Sequence, residues 1–585
     1  MGTGLRAALA HGYDASSFRA DLLAGIVVGI VALPLSMALA IATGVPPQHG
    51  LYTAIVAGAL VALLGGSRFQ VTGPTAAFIV ILAPIAAKHG LHGLLTAGLM
   101  AGVLLILMGL ARLGRLIQFI PHPVTTGFTA GIATVIAVLQ LKDAFGLTLA
   151  EAPEGFVDRL QSYWAARGTA SVPEILTAAA TLALLLLVPR ITKKVPAPLI
   201  ALGIVAAATA LLGGFVPDFS VDTIGSRFQT TIGDKTYAGI PPIPPKPILP
   251  WGEQAITLGY LRELLPSALA IALLGAIESL LSAVIADGMT GDEHDPNAEL
   301  VALGAGNVVA PFFGGIAATG ALARTATNVR AGARSPIAAV VHAAVVAAAI
   351  LLLAPLVAYI PMASLAALLL LVAWNMSELH HFRNILKVAP RSDVVVLLTC
   401  FFLTVIFDMV IAVSAGVVLA AILFMRRMAE LTATELHAPG KKTELAQMLP
   451  KGVALYRIDG PLFFGAAQKA MSAMGTIRSG VRVIVLDLSN VPAIDATGLV
   501  ALESVLERLN QQKRFLVLAG PLPAPQSVFE KANLDEHHEN VILAKSVKEA
   551  LTIAGDIVRL NPDWAAMASG ATPLPTSATL GSAGS

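Results

Sequence analysis

From Leu22 to Ser67, and again from Ser335 to Ser377, the chain carries no Asp, Glu, Lys or Arg. One bilayer crossing needs roughly 20 helical residues, so each stretch has room for two spans and a tight turn. The rest of the sequence agrees. Only 13% of the 585 residues are charged, against roughly 25% in soluble chains. The 38 basic and 36 acidic residues nearly cancel, which excludes the basic footprint of a nucleic-acid binder. Cys400, the sole cysteine, excludes an internal disulfide framework or a cysteine metal site. The chain reads as a polytopic, α-helical membrane protein.

Hydropathy divides it into fourteen transmembrane segments, near 21–43, 49–66, 74–87, 92–111, 122–141, 173–189, 196–214, 261–286, 298–313, 320–332, 336–356, 361–376, 393–408 and 409–427. The third and tenth are too short to cross as straight helices. Lysines and arginines cluster in alternate short loops (Arg112, Arg115; Arg190, Lys193, Lys194; Arg330, Arg334; Arg383, Lys387, Arg391) and at Arg426 and Arg427. The positive-inside rule then places both termini in the cytoplasm, with residues 1–20 as a short cytoplasmic segment. The proline-rich run Pro241 to Pro250 reads as an extended external loop. The first apolar segment runs directly into a second span, so no cleavable signal peptide is expected.

The two halves echo one another. Gly44 and Gly288, Gly65-Gly66 and Gly314-Gly315, Thr72-Gly73 and Thr319-Gly320, and Ile120-Pro121 and Ile360-Pro361 recur in order, 240 to 249 residues apart. Seven spans per repeat is an odd number, so the second repeat (about 261–427) must be inverted relative to the first (about 21–214). Such repeats place a binding site near the midplane, between discontinuous helices at matching positions. The two short segments, third in each repeat, occupy those positions.

The first short helix opens Thr72-Gly73-Pro74-Thr75-Ala76 and the second Thr319-Gly320-Ala321-Leu322-Ala323-Arg324. Thr72 and Thr319 are the expected N-caps, and Pro74 suits a first turn. Free amides at such helix ends form an anion site, and small residues leave them uncovered. Arg324 ends a charge-free run that starts at Leu300, and Glu278 stands alone within Leu264–Ala286 with Ser282 one turn on. Intramembrane charges are costly and usually functional; a structural pairing of Glu278 with Arg324 is the competing reading. Two helix ends plus Arg324 amount to about +2 with Glu278 protonated and about +1 with it ionised. A dianion therefore favours the protonated carboxyl, which is a route to proton–anion symport.

At these residues the chain resembles the SulP (solute carrier 26) anion transporters. Their signature Pro-x-Tyr-Gly-Leu-Tyr, then Gly-Gly-Ser-Arg, stands here as Pro47-Gln48-His49-Gly50-Leu51-Tyr52 and Gly65-Gly66-Ser67-Arg68, with His49 and Val61 as departures. The resemblance covers about 15–555. It implies two inverted seven-helix repeats divided into core and gate domains, alternating access, and a homodimer in the bacterial inner membrane. It implies an anion held by Thr75, Ala76, Ala321, Leu322 and Ala323, and ion coupling at Glu278, with Ser282 beside it as a second ion-coupling candidate. Glutamate there is similar to proton-coupled members, whereas sodium-coupled ones tend to carry aspartate. Pro34-Leu35-Ser36 replaces a usual Pro-Gln, leaving Ser36 to supply any polar contact from the first helix. The runs Gly73–Val80, Ile106–Arg115, Leu274–Thr290, Arg330–Ile337 and Trp374–Glu378 look closest to the family's bacterial C4-dicarboxylate transporters, which implies succinate, fumarate or aspartate as cargo. Sulfate, sodium-coupled bicarbonate and an uncoupled anion channel stay open.

Beyond a linker (431–450) the composition becomes soluble, with 23 charged residues among 451–560. Val453–Ile458, Val481–Leu488 and Phe515–Ala519 read as strands, and Asp495-Ala496-Thr497-Gly498 opens a helix. Residues 451–558 resemble a STAS domain. That implies a regulatory loop at Asp495, Thr497 and Gly498, where anti-sigma-antagonist relatives phosphorylate a serine, and a possible cytoplasmic protein partner. A helix N-cap is the plainer reading of Thr497. A sensor role for this domain is a further alternative. Residues 559–585, rich in Ala, Ser, Gly, Thr and Pro, read as disordered. Asp292-Glu293-His294-Asp295 fits no metal-ligand spacing. No enzyme motif and no cofactor is expected.

Overall fold

The computed structural model describes residues 2–10, 12–115, 121–149, 155–192, 195–216, 219–232, 235–407, 409–431, 433–437, 449–463, 467, 470–471, 480–534 and 540–560. Ile120, Lys193, Lys194, most of the linker (438–448) and the tail from 561 lie outside them. The chain forms two compact units, Met1–Ala420 and Ala421–Ser585.

In the first unit, α1 (Thr3–Ala10) precedes α2 (Ala15–Ala42) and α3 (Gln48–Leu64). A two-residue strand follows, β1 (Thr72–Gly73), then a 3-10 turn (Ala76–Phe78) leading into α4 (Ile79–Leu110). Gly90, at φ 65° and ψ −168°, breaks α4 in two; only glycine adopts that conformation without strain. The break separates the third and fourth segments expected from hydropathy. The repeat ends with α5 (His122–Phe145), the short α6 (Phe156–Ala165), α7 (Val172–Ile191) and α8 (Ala197–Phe215).

A turn of helix, α9 (Ile224–Arg227), and the hairpin β2 (Gln229–Ile232)–β3 (Lys235–Ala238) connect the repeats. The proline-rich run after them is a strap rather than a free loop: the Ile248 amide donates to Phe312, and Pro250 accepts from His92. The second repeat runs α10 (Leu258–Thr290), α11 (Pro296–Val309), β4 (Thr319–Gly320), α12 (Leu322–Arg330), α13 (Ile337–Val357), α14 (Met362–Met376), α15 (Leu379–Val388), α16 (Arg391–Ile406) and α17 (Met409–Leu431). With α4 counted as two and α1, α6, α9 and α15 set aside, the fourteen segments stand in the expected order.

The helix partners obey the inversion. α11 packs on α4 as α13 packs on α3; α13 packs on α2 as α10 packs on α4; α16 packs on α5 as α14 packs on α7. Each pair maps onto its counterpart when the repeats are exchanged. These contacts also separate a core group (α2 to α4, α10 to α13) from a gate group (α5, α7, α8, α14, α16). Small residues allow the close approach, as membrane helices require: a Cβ on Gly304 would lie 2.6 Å from the Gly102 carbonyl.

The loop into β1 is fixed by a buried carboxylate. Glu299 Oε2 accepts from the Gly66 and Ser67 amides at 2.7 and 3.0 Å, and Glu299 is 1% exposed. In the Asp292–Asp295 segment, Asp292 pairs with Arg68, His294 with Asp287, and Asp295 caps α11, so these groups serve the loop's own structure.

The second unit is a five-stranded sheet in the order β5 (Ala433–His437), β6 (Val453–Asp459), β7 (Val483–Asn490), β8 (Phe515–Ala519), β9 (Val541–Ala544). β6 to β9 are parallel and β5 is an antiparallel edge. The stretch read as a linker thus contains a strand. It was hidden because an edge strand with exposed faces lacks the apolar run that marks a central one. Helix Ala496–Gln511 covers one sheet face and Val547–Leu560 the other.

Replacing Glu299 by Ala leaves two buried amides unpaired, at about 1–3 kcal/mol each. We expect Glu299→Ala to lower the melting temperature of the detergent-solubilised protein clearly, and Glu299→Gln, which keeps an acceptor, to lower it much less.

Candidate functional site: two half-helices joined by a short sheet

Thr72 pairs with Gly320 and Gly73 with Thr319 in an antiparallel ladder, β1 with β4. The inverted repeats therefore meet at the residues that open the two short helices. Thr72 and Thr319, expected as N-caps, are instead in strands, because their backbones hydrogen-bond across the pseudo-symmetry axis. The caps fall later, at Thr75 (φ −125°, ψ 158°) and Ala321 (φ −90°, ψ 99°), and neither side chain caps its own helix.

At the first end, the amides of Ala76 and Ala77 have no intrahelical acceptor. At the second, Ala321 spends its amide on the Val71 carbonyl, so the free donors shift to Leu322, Ala323 and Arg324. Each end behaves as about half a positive charge. Ala76, Ala77 and Ala323 are too small to block the amides, while the Leu322 side chain is 40% exposed and turns outward.

Arg324 is 1% exposed, the largest fully buried side chain described. Its Nη2 donates to the Pro74 carbonyl at 2.9 Å, and Nε and Nη1 have no protein partner. Gly73 faces Nη1 so closely that a Cβ there would strike it. Glu278, on α10, accepts from Thr75 Oγ1 at 2.8 Å. No Glu278–Arg324 ion pair forms among the described residues; the carboxylate reads Thr75 and the guanidinium reads Pro74, on neighbouring residues of one turn. Guanidinium, Thr75 hydroxyl and two sets of amides are a donor array suited to a small oxyanion or carboxylate.

Buried polar groups fix this array, among them Gln70, Ser279, Asn307, Thr325 and Asn328, which no sequence motif marks. Gln70 Nε2 donates to Ser279 Oγ at 2.6 Å, and a Cβ on Gly320 would sit 2.5 Å from that Nε2. Ser282 Oγ donates to Thr325 Oγ1 at 3.0 Å, which accepts from the Val71 amide. Asn307 clasps Ala318 through both amide atoms, Asn328 donates to Phe69, and Thr319 donates to Gly275. Ser282, expected beside Glu278 in ion coupling, hydrogen-bonds Thr325 at the second short helix. The signal available beforehand was the placement of these polar residues inside apolar runs. Ser36 is buried in α2 with its hydroxyl unpartnered, and no described hydrogen bond joins it to the helix ends.

In the C-terminal unit, Asp495 rather than Thr497 is the cap: its Oδ1 accepts from the Gly498 amide at 2.7 Å. A short acceptor fits there because Thr497 already lies inside the helix, with its side chain exposed. Gly498 packs against the Leu462 carbonyl, a structural role.

The sulfate permease family model matches residues 18–400, and the STAS domain model matches 449–550. The chain belongs to the sulfate permease family. It is an anion transporter, not an enzyme, and a multi-pass membrane protein. A Bacillus subtilis relative named "Putative sulfate transporter YvdB" is 42% identical over 524 residues, 89% of this chain and 95% of that protein. The "Bicarbonate transporter BicA" of Picosynechococcus is 28% identical over 537 residues, 88% of this chain and 91% of that one. Among solved structures, the transmembrane domain of a cyanobacterial BicA matches with TM-score 0.58 at 28% identity, over 70% of this chain and 98% of that one. Murine Slc26a9, an anion transporter in the inward-facing state, shares the fold with TM-score 0.81 at 19% identity, over 95% and 94% of the two chains.

A charge-assisted hydrogen bond contributes about 1.5–3 kcal/mol, or roughly 10- to 150-fold in affinity. Arg324→Gln is expected to raise the transport KM by at least about tenfold on that scale, at unchanged expression, in uptake assays.

Proposed function

We propose that this permease carries a small dianion inward together with protons, by movement of the core group against the gate group. The observation that supports this reading is the Thr75–Glu278 hydrogen bond beside the free amides of the first half-helix. A threonine hydroxyl has one proton to donate, and an ionised carboxylate can only accept it. With Glu278 ionised, that proton is committed to the carboxylate. With Glu278 protonated, the carboxyl becomes the donor and Thr75 is free to turn its proton toward an anion on the Ala76 and Ala77 amides. Protonation also raises the local charge from about +1 to about +2, counting two helix ends and Arg324. Both changes favour the dianion only when the proton is aboard, which is the condition for symport.

C4-dicarboxylates such as succinate, fumarate and aspartate are the first cargo to test, on the local sequence likeness in α4, α10, the turn between α12 and α13 and the end of α14. Sulfate is the second reading, favoured by the name of the 42% identical relative; bicarbonate with sodium is the third, from the name of the cyanobacterial relative. A carboxylate already engaged by Thr75 fits a proton better than a sodium ion, which demands several oxygen ligands. We also place the protein in the bacterial plasma membrane, as a homodimer with cytoplasmic termini, and assign its STAS domain to binding a cytoplasmic partner.

Uptake of labelled succinate and sulfate into proteoliposomes, with and without an inward proton gradient, tests the reading. The wild type is expected to accumulate substrate, and Glu278→Gln to retain exchange but lose the response to the gradient. Thr75→Val, which keeps the shape and removes the hydroxyl, should reduce accumulation more than exchange. Gradient-driven accumulation by Glu278→Gln, strict dependence on sodium, or large passive currents would each overturn proton symport.

A further inference from the structure

Between two membrane segments, α14 and α16, stands a helix that does not cross. The chain leaves α14 through Ser377 and Glu378, the latter in the left-handed region (φ 41°, ψ 42°), and Pro390 starts α16. α15 is therefore set off at both ends, at the membrane surface where its neighbours emerge. It has no buried residue, yet its faces differ sharply. Phe382 meets Phe401 of α16 with ring centroids 5.5 Å apart, and His381 meets His122 of α5 at 5.9 Å. That side is docked on the protein.

The stripe beside it is not docked. Leu379 and Leu386, two turns apart on that stripe, are 39% and 41% exposed. Arg383 and Lys387 border that stripe one helical step away, and Arg391 follows at the start of α16; all three are exposed. None makes an ion pair among the described residues, and Glu378 is the sole acidic residue from 377 to 391. Trp374, near the end of α14, is 66% exposed, as suits an interfacial aromatic.

We propose that α15 lies in the headgroup layer and binds anionic lipid. Leu379 and Leu386 enter the acyl boundary, while Arg383, Lys387 and Arg391 hold the phosphate groups of acidic lipids. Lipid is the fitting occupant because the face begins and ends at membrane spans, and because an apolar stripe edged by cations matches an acidic headgroup surface. The same residues carry the positive charge that orients the loop toward the cytoplasmic leaflet, where such lipids concentrate. Since α15 touches α5 through His381 and His122, α15 connects the lipid to a gate helix.

A spin label at Leu386→Cys, in a full-length Cys400→Ala background that still transports, tests the placement in vesicles of zwitterionic lipid with and without an added anionic lipid. The label should be reached by oxygen and shielded from a water-soluble nickel complex, whereas a label at Asn384→Cys, on the opposite side, should be reached by nickel. Nickel access at 386 would overturn the proposal by placing the helix in water. Shielding from both probes would overturn it in favour of a protein cover, a second copy or another partner. Native mass spectrometry of the unmodified chain gives a readout without cysteine variants. It should show preferential retention of anionic over zwitterionic lipid, falling roughly fivefold for each basic residue removed in Arg383→Gln and Lys387→Gln; equal retention by wild type and double variant would refute the assignment.

Discussion

Two pairs of residues, Thr72 with Gly320 and Gly73 with Thr319, hold the centre of this transporter together. Each repeat abandons helix there, and unpaired backbone in a membrane interior costs several kcal/mol per group. The crossing strands satisfy one another, so neither half-helix can begin where it does unless the other repeat is in place. Gln70, Ser279, Ser282, Asn307, Thr325 and Asn328 form hydrogen bonds around the ladder, and the ladder ties the start of one short helix to the start of the other.

The same pairing explains why charge sits where it does. Arg324 is tied to Pro74 in the opposite repeat, and Glu278 to Thr75. Because cation and carboxylate engage neighbouring residues instead of each other, neither is neutralised by a direct ion pair. A direct pair would brace the repeats through opposite charges; here two separate tethers on one turn leave each charge without that partner. Packing follows the same economy: glycines such as Gly102 and Gly304 let helices approach backbone to backbone, which fixes the half-helices without bulky side chains in the site.

Much of this was legible beforehand. Charge-free runs counted the spans, the spacing of Thr-Gly pairs located the repeats, and isolated Arg324 and Glu278 pointed to the candidate site. The errors were local and share a cause. Thr72, Thr319 and Thr497 look like caps in one dimension; the first two are recruited into a ladder with partners some 247 residues away, and the third lies one residue inside a helix that Asp495 caps. The strand Ala433–His437 was missed because an edge strand declares itself only through its neighbour.

The sequence by itself determined the class, the number and order of the segments and the inversion, and it pointed to the residues of the candidate site. Those are consequences of solvent: apolar length, charge placement and helix-breaking residues act locally, and the membrane reads them locally. Only the tertiary structure decided which donors stay free, that Glu278 pairs with Thr75 and not with Arg324, and that Ser282 bonds Thr325 while Ser36 stands apart. Those choices are made by partners far apart in the chain, and a hydrogen bond cannot be assigned until both of its ends have been brought together.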